Sequence, residues 1–182
     1  MSVIARPTTR SRAETSLSFF SFLFAEVVAG AATAEEHLEH RLHTLGISIG
    51  QRIFPLLHLR ERPFRRETTS TNCLQFIASS VWRSLFGKAA EVLATDRADE
   101  LYLVDRGMVL NRYISVSASE AAEGTMVNCA TFAAGIVQGM MQTAGFLTTH
   151  VEALFTQAGS AQVDPMNVTF VVRLGGGSRK LG

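Results

Sequence analysis

"NCATFAAGIVQGMMQTAGF", residues 128–146, decides how the fold is read. It carries no charged residue, is crowded with small side chains, and holds Cys129, one of only two cysteines. Three assignments compete: a membrane helix, the seat of a nucleophile, and a packing element. Cys129, Phe132, Ala133, Ile136 and Met140 share one face at helical spacing, and Gly145 stands where such a helix would stop. Asn128, Gln138 and Gln142 would be costly in lipid without partners. Gly135 and Gly139 form a GxxxG pair, which has meaning in membranes. In a soluble domain, small residues instead let a helix approach a sheet closely. A nucleophilic Cys129 would need a positioned histidine, and the sequence positions none. The stretch therefore reads as a packing helix over 128–144, with Cys129 a buried structural thiol.

Working outward, the hydrophobic period changes to that of strands. "LTTHVEALFTQ" and "NVTFVVRL" read as two strands joined through Gly159, Ser160, Asp164 and Pro165. On the upstream side "LYLVD" and "MVLNRYISV" read as two more, with Asp105-Arg106-Gly107 as their turn. "AAEVLATDRADE" reads as a short helical turn and a loop. "TTSTNCLQFIASSVWRSLFGK" is a helix with Leu74, Ile77, Val81 and Leu85 on one face and Gly87 at its end. "AEEHLEHRLHTLG" is a helix through Leu38, Leu42 and Leu45 that Gly46 stops, and "SIGQRIFPLLHL" is a further helix that Pro55 kinks or ends. The order is helices, two strands, helix, two strands. It predicts an α+β fold in which helices pack on a small antiparallel sheet. One domain spans 13–174, between a flexible basic lead at 1–12 and a flexible tail at 175–182.

The first helix, Glu14 to Val28, begins near Thr15 or Ser16. Leu17, Phe20, Phe24 and Val27 or Val28 form its core stripe, while Phe19, Phe22 and Leu23 lie off it. A helix apolar around most of its circumference is not an ordinary surface helix. Either it lies in the middle of the fold, or another chain covers one face.

Composition narrows the function. With 182 residues and 47% hydrophobic content, the chain can bury a core without disulfide staples. A formal net charge of +1 does not suit a nucleic-acid binder. Cys73 and Cys129 fit no CxxC or Cys/His spacing and read as reduced, buried cytosolic thiols, with pairing left open. Residues 6–34 mimic a secretory signal, but Glu14 and Glu26 argue against one. No run approaches the roughly 20 apolar residues of a membrane span.

His37, His40 and His43 recur every three residues, a series that drifts around its helix and is not HExxH; a solvated polar face is the expectation over a metal site. Arg52, Arg60, Arg62, Arg65 and Arg66 cluster around a loop, as a solvated edge or as a contact for an acidic partner or anionic headgroups. The sequon Asn167-Val168-Thr169 lies in an expected strand of a cytosolic chain and reads as accidental. There is no P-loop and no GxGxxG.

Four stretches together resemble one family. "RPTTRSRAETSLSFFSFLFAEVV" at 6–28, "FRRET" at 64–68, "VWRSLFGKAAEVL" at 81–93 and the helix at 128–146 are similar to the small core subunits of the transport protein particle, TRAPP, of the subunit-five type. The resemblance runs from about residue 6 to about residue 173. It implies a two-layer fold, with a helical layer packed on a twisted four-stranded antiparallel sheet. It implies assembly through helices with other TRAPP small core subunits into an elongated hetero-oligomer. That complex acts in the cytoplasm, peripherally at cis-Golgi and ER-Golgi membranes, as an exchange factor for a Rab-type GTPase in ER-to-Golgi transport. The subunit-five type is an architectural member beside the palmitoylated subunit and does not touch the nucleotide site. The palmitoylated relative has a cysteine just before its version of "FRRET"; here Arg62, Pro63 and Phe64 stand there, so acylation is not expected.

The expected partner interface is Phe19, Phe22 and Leu23, with Leu38 and Leu42 of the next helix. Arg60, Arg62, Arg65 and Arg66 are the expected contact for an acidic partner or headgroups. No catalytic residue, cofactor or metal is expected. Two other readings stand beside the scaffold: a small-molecule or acyl-chain module with a pocket lined by Phe132, Met140 and Met141, and an enzyme using Cys129 or the His37/His40/His43 face.

Overall fold

The computed structural model describes residues 15–32, 37–61, 66–93, 95, 97, 99–112, 127–157 and 163–175. The expectations for the lead at 1–12 and for 176–182 lie outside them. Helix α1 spans Leu17–Ala32, and the Ser16 hydroxyl opens it by accepting the Phe19 N–H at 3.2 Å. Helix α2 spans Leu38–Glu61 without a break. Helix α3, Ser70–Phe76, starts on Thr69, whose side chain accepts the Asn72 N–H. It passes through a π-helical turn at Ile77–Val81 into α4, Trp82–Phe86. Gly87, with φ of 79°, ends α4 in the left-handed conformation that glycine adopts freely. Strand β1 is Glu91–Leu93 and β2 is Glu100–Arg106, followed by a 3-10 turn at Val109–Asn111. Helix α5, Thr131–Thr143, precedes β3, Thr148–Gln157, and β4, Val163–Leu174.

The four strands form one antiparallel sheet in the order β1-β2-β4-β3. One face packs on the helices through Leu103, Val151, Ala153, Val168, Phe170 and Val172. This is the two-layer α+β architecture expected from the sequence, although two of its parts differ. The stretch read as a helical turn after Gly87 contains β1, held because the Ala90 N–H donates to the Ala78 carbonyl at 3.0 Å. Three residues are too few for alternation to show. The expected hairpin at Asp105-Arg106-Gly107 is absent. Gly107 and Met108 both donate to the Met166 carbonyl, at 2.8 and 2.7 Å, and β2 pairs with β4 from Glu100↔Arg173 to Arg106↔Asn167. Met108–Asn111 is not strand, and residues 113–116 lie outside the described ones.

Gly46 and Pro55 do not end the second helix. Pro55 is exposed, as is Gln51, whose carbonyl loses its helical donor on the side where water can replace it. Gly46 serves packing instead. A Cβ on Gly46 would overlap the Phe132 carbonyl oxygen and stand 3.0 Å from Gly135 Cα. Gly50 meets Ile136, Gly135 meets His43, and Gly139 meets Ile47 and Gln51 in the same way. Two GxxxG stripes, one on α2 and one on α5, thus press backbone on backbone. The small residues of 128–146 serve close approach, as the sequence suggested, but to a helix more than to the sheet. Gln138, inside this buried helix, is satisfied by accepting the Val151 N–H at 3.0 Å.

Candidate partner interface

The seam between α2 and α5 uses Leu42, Gly46, Gly50 and Phe54, spaced by four along α2. Leu42 is therefore fully buried, and Leu38 is half-buried against the core. Leu42 belongs to no open face, which corrects the expectation for it, while Leu38 keeps part of its surface open. Periodicity identifies apolar stripes but does not say which one turns inward. A second stripe runs along α2 through Leu45, Ile49, Leu56 and Leu59, and sequence reasoning missed most of it. Leu56 and Leu59 are 68% and 67% exposed. The steps of four, seven and three residues were the available signal; the break expected at Pro55 hid them.

On α1, Phe24 is buried and its ring lies 5.5 Å from that of Phe132, while Phe20 stacks on Phe24 at 6.0 Å. Arg41 Nη1, from the first turns of α2, donates to the Ala31 carbonyl at 2.9 Å and fixes the end of α1. The opposite side is open: Phe19 is 62%, Phe22 74% and Leu23 56% exposed. Fully burying a side chain of this size is worth about 1.5–3 kcal/mol, so such a cluster in water is a large unmet driving force.

The arginine cluster is only partly described. Arg60 is exposed and lies 3.6 Å from Glu61, Arg66 is exposed, and Arg62 and Arg65 lie outside the described residues. His43 Nε2 lies 3.0 Å from the Val151 carbonyl, and its ring centre is 5.1 Å from that of His150. Burial first, and the neighbouring His150 second, hold its pKa below 6.5. These rings border an open cleft of about 430 Å³ that also includes Glu39, His40, Thr131 and Phe155. Among the described residues, no group of three or more His, Cys, Asp or Glu side chains could hold a metal ion. Met140 and Met141 are fully buried in the core, so they do not line this cleft. Cys73 and Cys129 are free thiols, fully buried, and burial pushes both up to about 12. Such thiols are poor nucleophiles. Among the described residues no helix is long and apolar enough to cross a membrane.

The flank of α1 at Phe19, Phe22 and Leu23 and the α2 residues Leu45, Leu56 and Leu59 thus stand out as exposed apolar surface. The sequence pattern of the transport protein particle (TRAPP) component family matches residues 20–175. Trafficking protein particle complex subunit 5 of Dictyostelium discoideum is 37% identical over 151 residues, covering 80% of this chain and 79% of that protein. The human subunit 5 is 38% identical over 149 residues, covering 79% and 77%. In three dimensions the chain is similar to trafficking protein particle complex subunit 3 from Naegleria fowleri, solved covalently bound to palmitic acid. The TM-score is 0.65 at 15% identity, over 87% of this chain and 95% of that one. A helical layer on a four-stranded sheet and a sequence match over most of the length converge: the chain belongs to the TRAPP component family.

Proposed function

We propose that the chain is an architectural subunit of a trafficking protein particle complex that docks a neighbouring small core subunit on the α1/α2 face. The observation that carries this is the group of exposed large apolar side chains, Phe19, Phe22, Leu23, Leu56 and Leu59, on two adjacent helices. Obligate interfaces resemble a core cut in two, and this face has that character. The family resemblance supports the finer reading: a non-enzymatic part of an assembly that exchanges nucleotide on a Rab-type GTPase in ER-to-Golgi traffic. The subunit would position its neighbours, the palmitoylated small core subunit among them, and reach the membrane only through the complex. Arg60 and Arg66, with Arg62 and Arg65 of the same stretch, would face an acidic partner or headgroups.

Phe19→Asp or Phe22→Asp, co-expressed with the other small core subunits, should release the chain from the complex, because each would place an unpaired carboxylate in an apolar contact. The measurement is the stoichiometry of the purified assembly by native mass spectrometry. Full retention of both variants in the complex would remove the interface from α1.

A further inference from the structure

The edges of the sheet are β1 and β3, and they are closed in different ways. A free edge presents unpaired N–H and C=O groups and is a ready template for another chain's strand. Strand β1 is blunted by its length of three residues. Strand β3 has ten residues and lacks that protection. The Leu174 N–H donates to the Asp99 carbonyl at 2.8 Å, so Leu174, Val172 and Phe170 turn their backbone groups toward β2. Arg173, Val171 and Thr169 therefore turn theirs toward His150, Glu152 and Leu154. The backbone groups of Val151, Ala153 and Phe155 point outward, away from β4.

Side chains meet them there. Gln138 Oε1, from α5, accepts the Val151 N–H at 3.0 Å. His43 Nε2, from α2, lies 3.0 Å from the Val151 carbonyl; a carbonyl can only accept, so this nitrogen carries the proton. Asn128 Nδ2, from just before α5, donates to the Ala153 carbonyl at 2.8 Å. Val151 is fully buried and Ala153 nearly so, although both lie in an edge strand. Register irregularities stand at both ends of this stretch, between Thr148 and His150 and between Phe155 and Gln157. Such bulges bend an edge away from pairing. Three side chains thus cover the regular part of the edge, and irregular pairing guards its ends. We infer that His43, Asn128 and Gln138 form a strap that takes the place of a fifth strand and closes β3 to strand addition. A second copy's β3 is the strand that it excludes, since a two-fold axis sets two identical antiparallel edges against each other. Strand exchange at the sheet is thereby shut off, and other surfaces of the fold are untouched by it.

The test follows amide hydrogen exchange and sedimentation of the full chain carrying Phe22→Asp, so that association through the face proposed above does not contribute. In that chain the Val151 amide should exchange slowly. Gln138→Ala removes its acceptor and should speed its exchange by about a hundredfold, with the amide of Val172, which turns toward β2, unchanged. His43→Ala added to Gln138→Ala clears the edge further. This double variant should form a dimer whose Val151 amide regains protection as concentration rises. Asn128 is left in place because its Oδ1 also accepts from the Ala130 N–H and from Asn111 Nδ2. Circular dichroism checks folding; if the double variant does not fold, Gln138→Ala alone carries the association test. Val151 exchange as slow in Gln138→Ala as before would show that Gln138 does not cover the edge. Folded variants that stay monomeric, or that dimerise with Val151 still exchanging fast, would overturn the closure.

Discussion

Gly135→Ala probes the feature on which the helical layer is built. A methyl at Gly135 would overlap the His43 carbonyl oxygen, and it would stand 2.9 Å from the His43 carbonyl carbon and 3.0 Å from Gly46 Cα. Every obstructing atom is backbone, so no side-chain rotation relieves the clash. The two helices must part. Overpacking a filled core costs about 1–3 kcal/mol where side chains can adjust, and more where they cannot. Parting also thins the contacts of Leu42, Phe54, Ile136 and Met140, since a gap of 0.5–1 Å forfeits a quarter to a half of each dispersion well. Against this, alanine is the better helix former by about 1 kcal/mol. The balance is a net loss of about 2–4 kcal/mol, or a fall in melting midpoint of roughly 5–15 °C for a domain of this size. Thermal and urea unfolding followed by circular dichroism measure it. Gly30→Ala is the control: it lies in α1 with nothing within 4 Å of an added Cβ, so it should leave stability unchanged or raise it. A Gly135→Ala chain that melts at or above the unchanged protein would refute the close glycine seam.

Two further outcomes follow from the buried groups. Cys73 and Cys129, pushed up to about 12 by burial, should react with a thiol reagent at pH 8 only as fast as the chain unfolds; rapid labelling of the native protein at either site would contradict their placement. His43 binds its proton less tightly in the folded state than in the unfolded one, so its contribution to stability is complete above pH 6.5 and is lost as pH falls below that value. His43→Gln should flatten urea stability between pH 7 and 5, and an unaltered slope would show that His43 is not the group responsible.

The layered fold was legible because its longest elements are strongly periodic. The helix at 131–143 and the last two strands are each long enough to display a period and end at a recognisable breaker, such as Gly145 with φ of 95°. What the sequence misplaced depends on tertiary contact. Gly46 has the chemistry of a helix stop, and only its proximity to Phe132 and Gly135 shows why it sits inside a helix. The partner of β2 is β4, more than fifty residues away, and no local turn signal reports such a pairing. Of the interface residues, Phe19, Phe22 and Leu23 were legible because α1 has more apolar positions than one stripe can use. Leu42 was misassigned for want of the facing helix, and Leu56 and Leu59 were hidden behind Pro55.

The glycine seam and the open face are two consequences of one arrangement. Pressing α2 onto α5 backbone to backbone commits the stripe from Leu42 to Phe54, with Ile49, Ile53 and Leu57 packing beside it, and leaves Leu45, Leu56 and Leu59 exposed. Helix α1 presents Phe20, Phe24, Val27 and Val28 to the core but adds Phe19, Phe22 and Leu23 to the uncovered surface. Folding α1 onto the layer thus transfers the deficit outward without closing it. On the docking face proposed above, helices from another chain complete the layer, and binding that requires the folded state then adds to folded-state stability by mass action. The apparent stability of this subunit should therefore rise with the concentration of its neighbour, and the seam between α2 and α5 is what keeps the docking face in shape until that neighbour arrives.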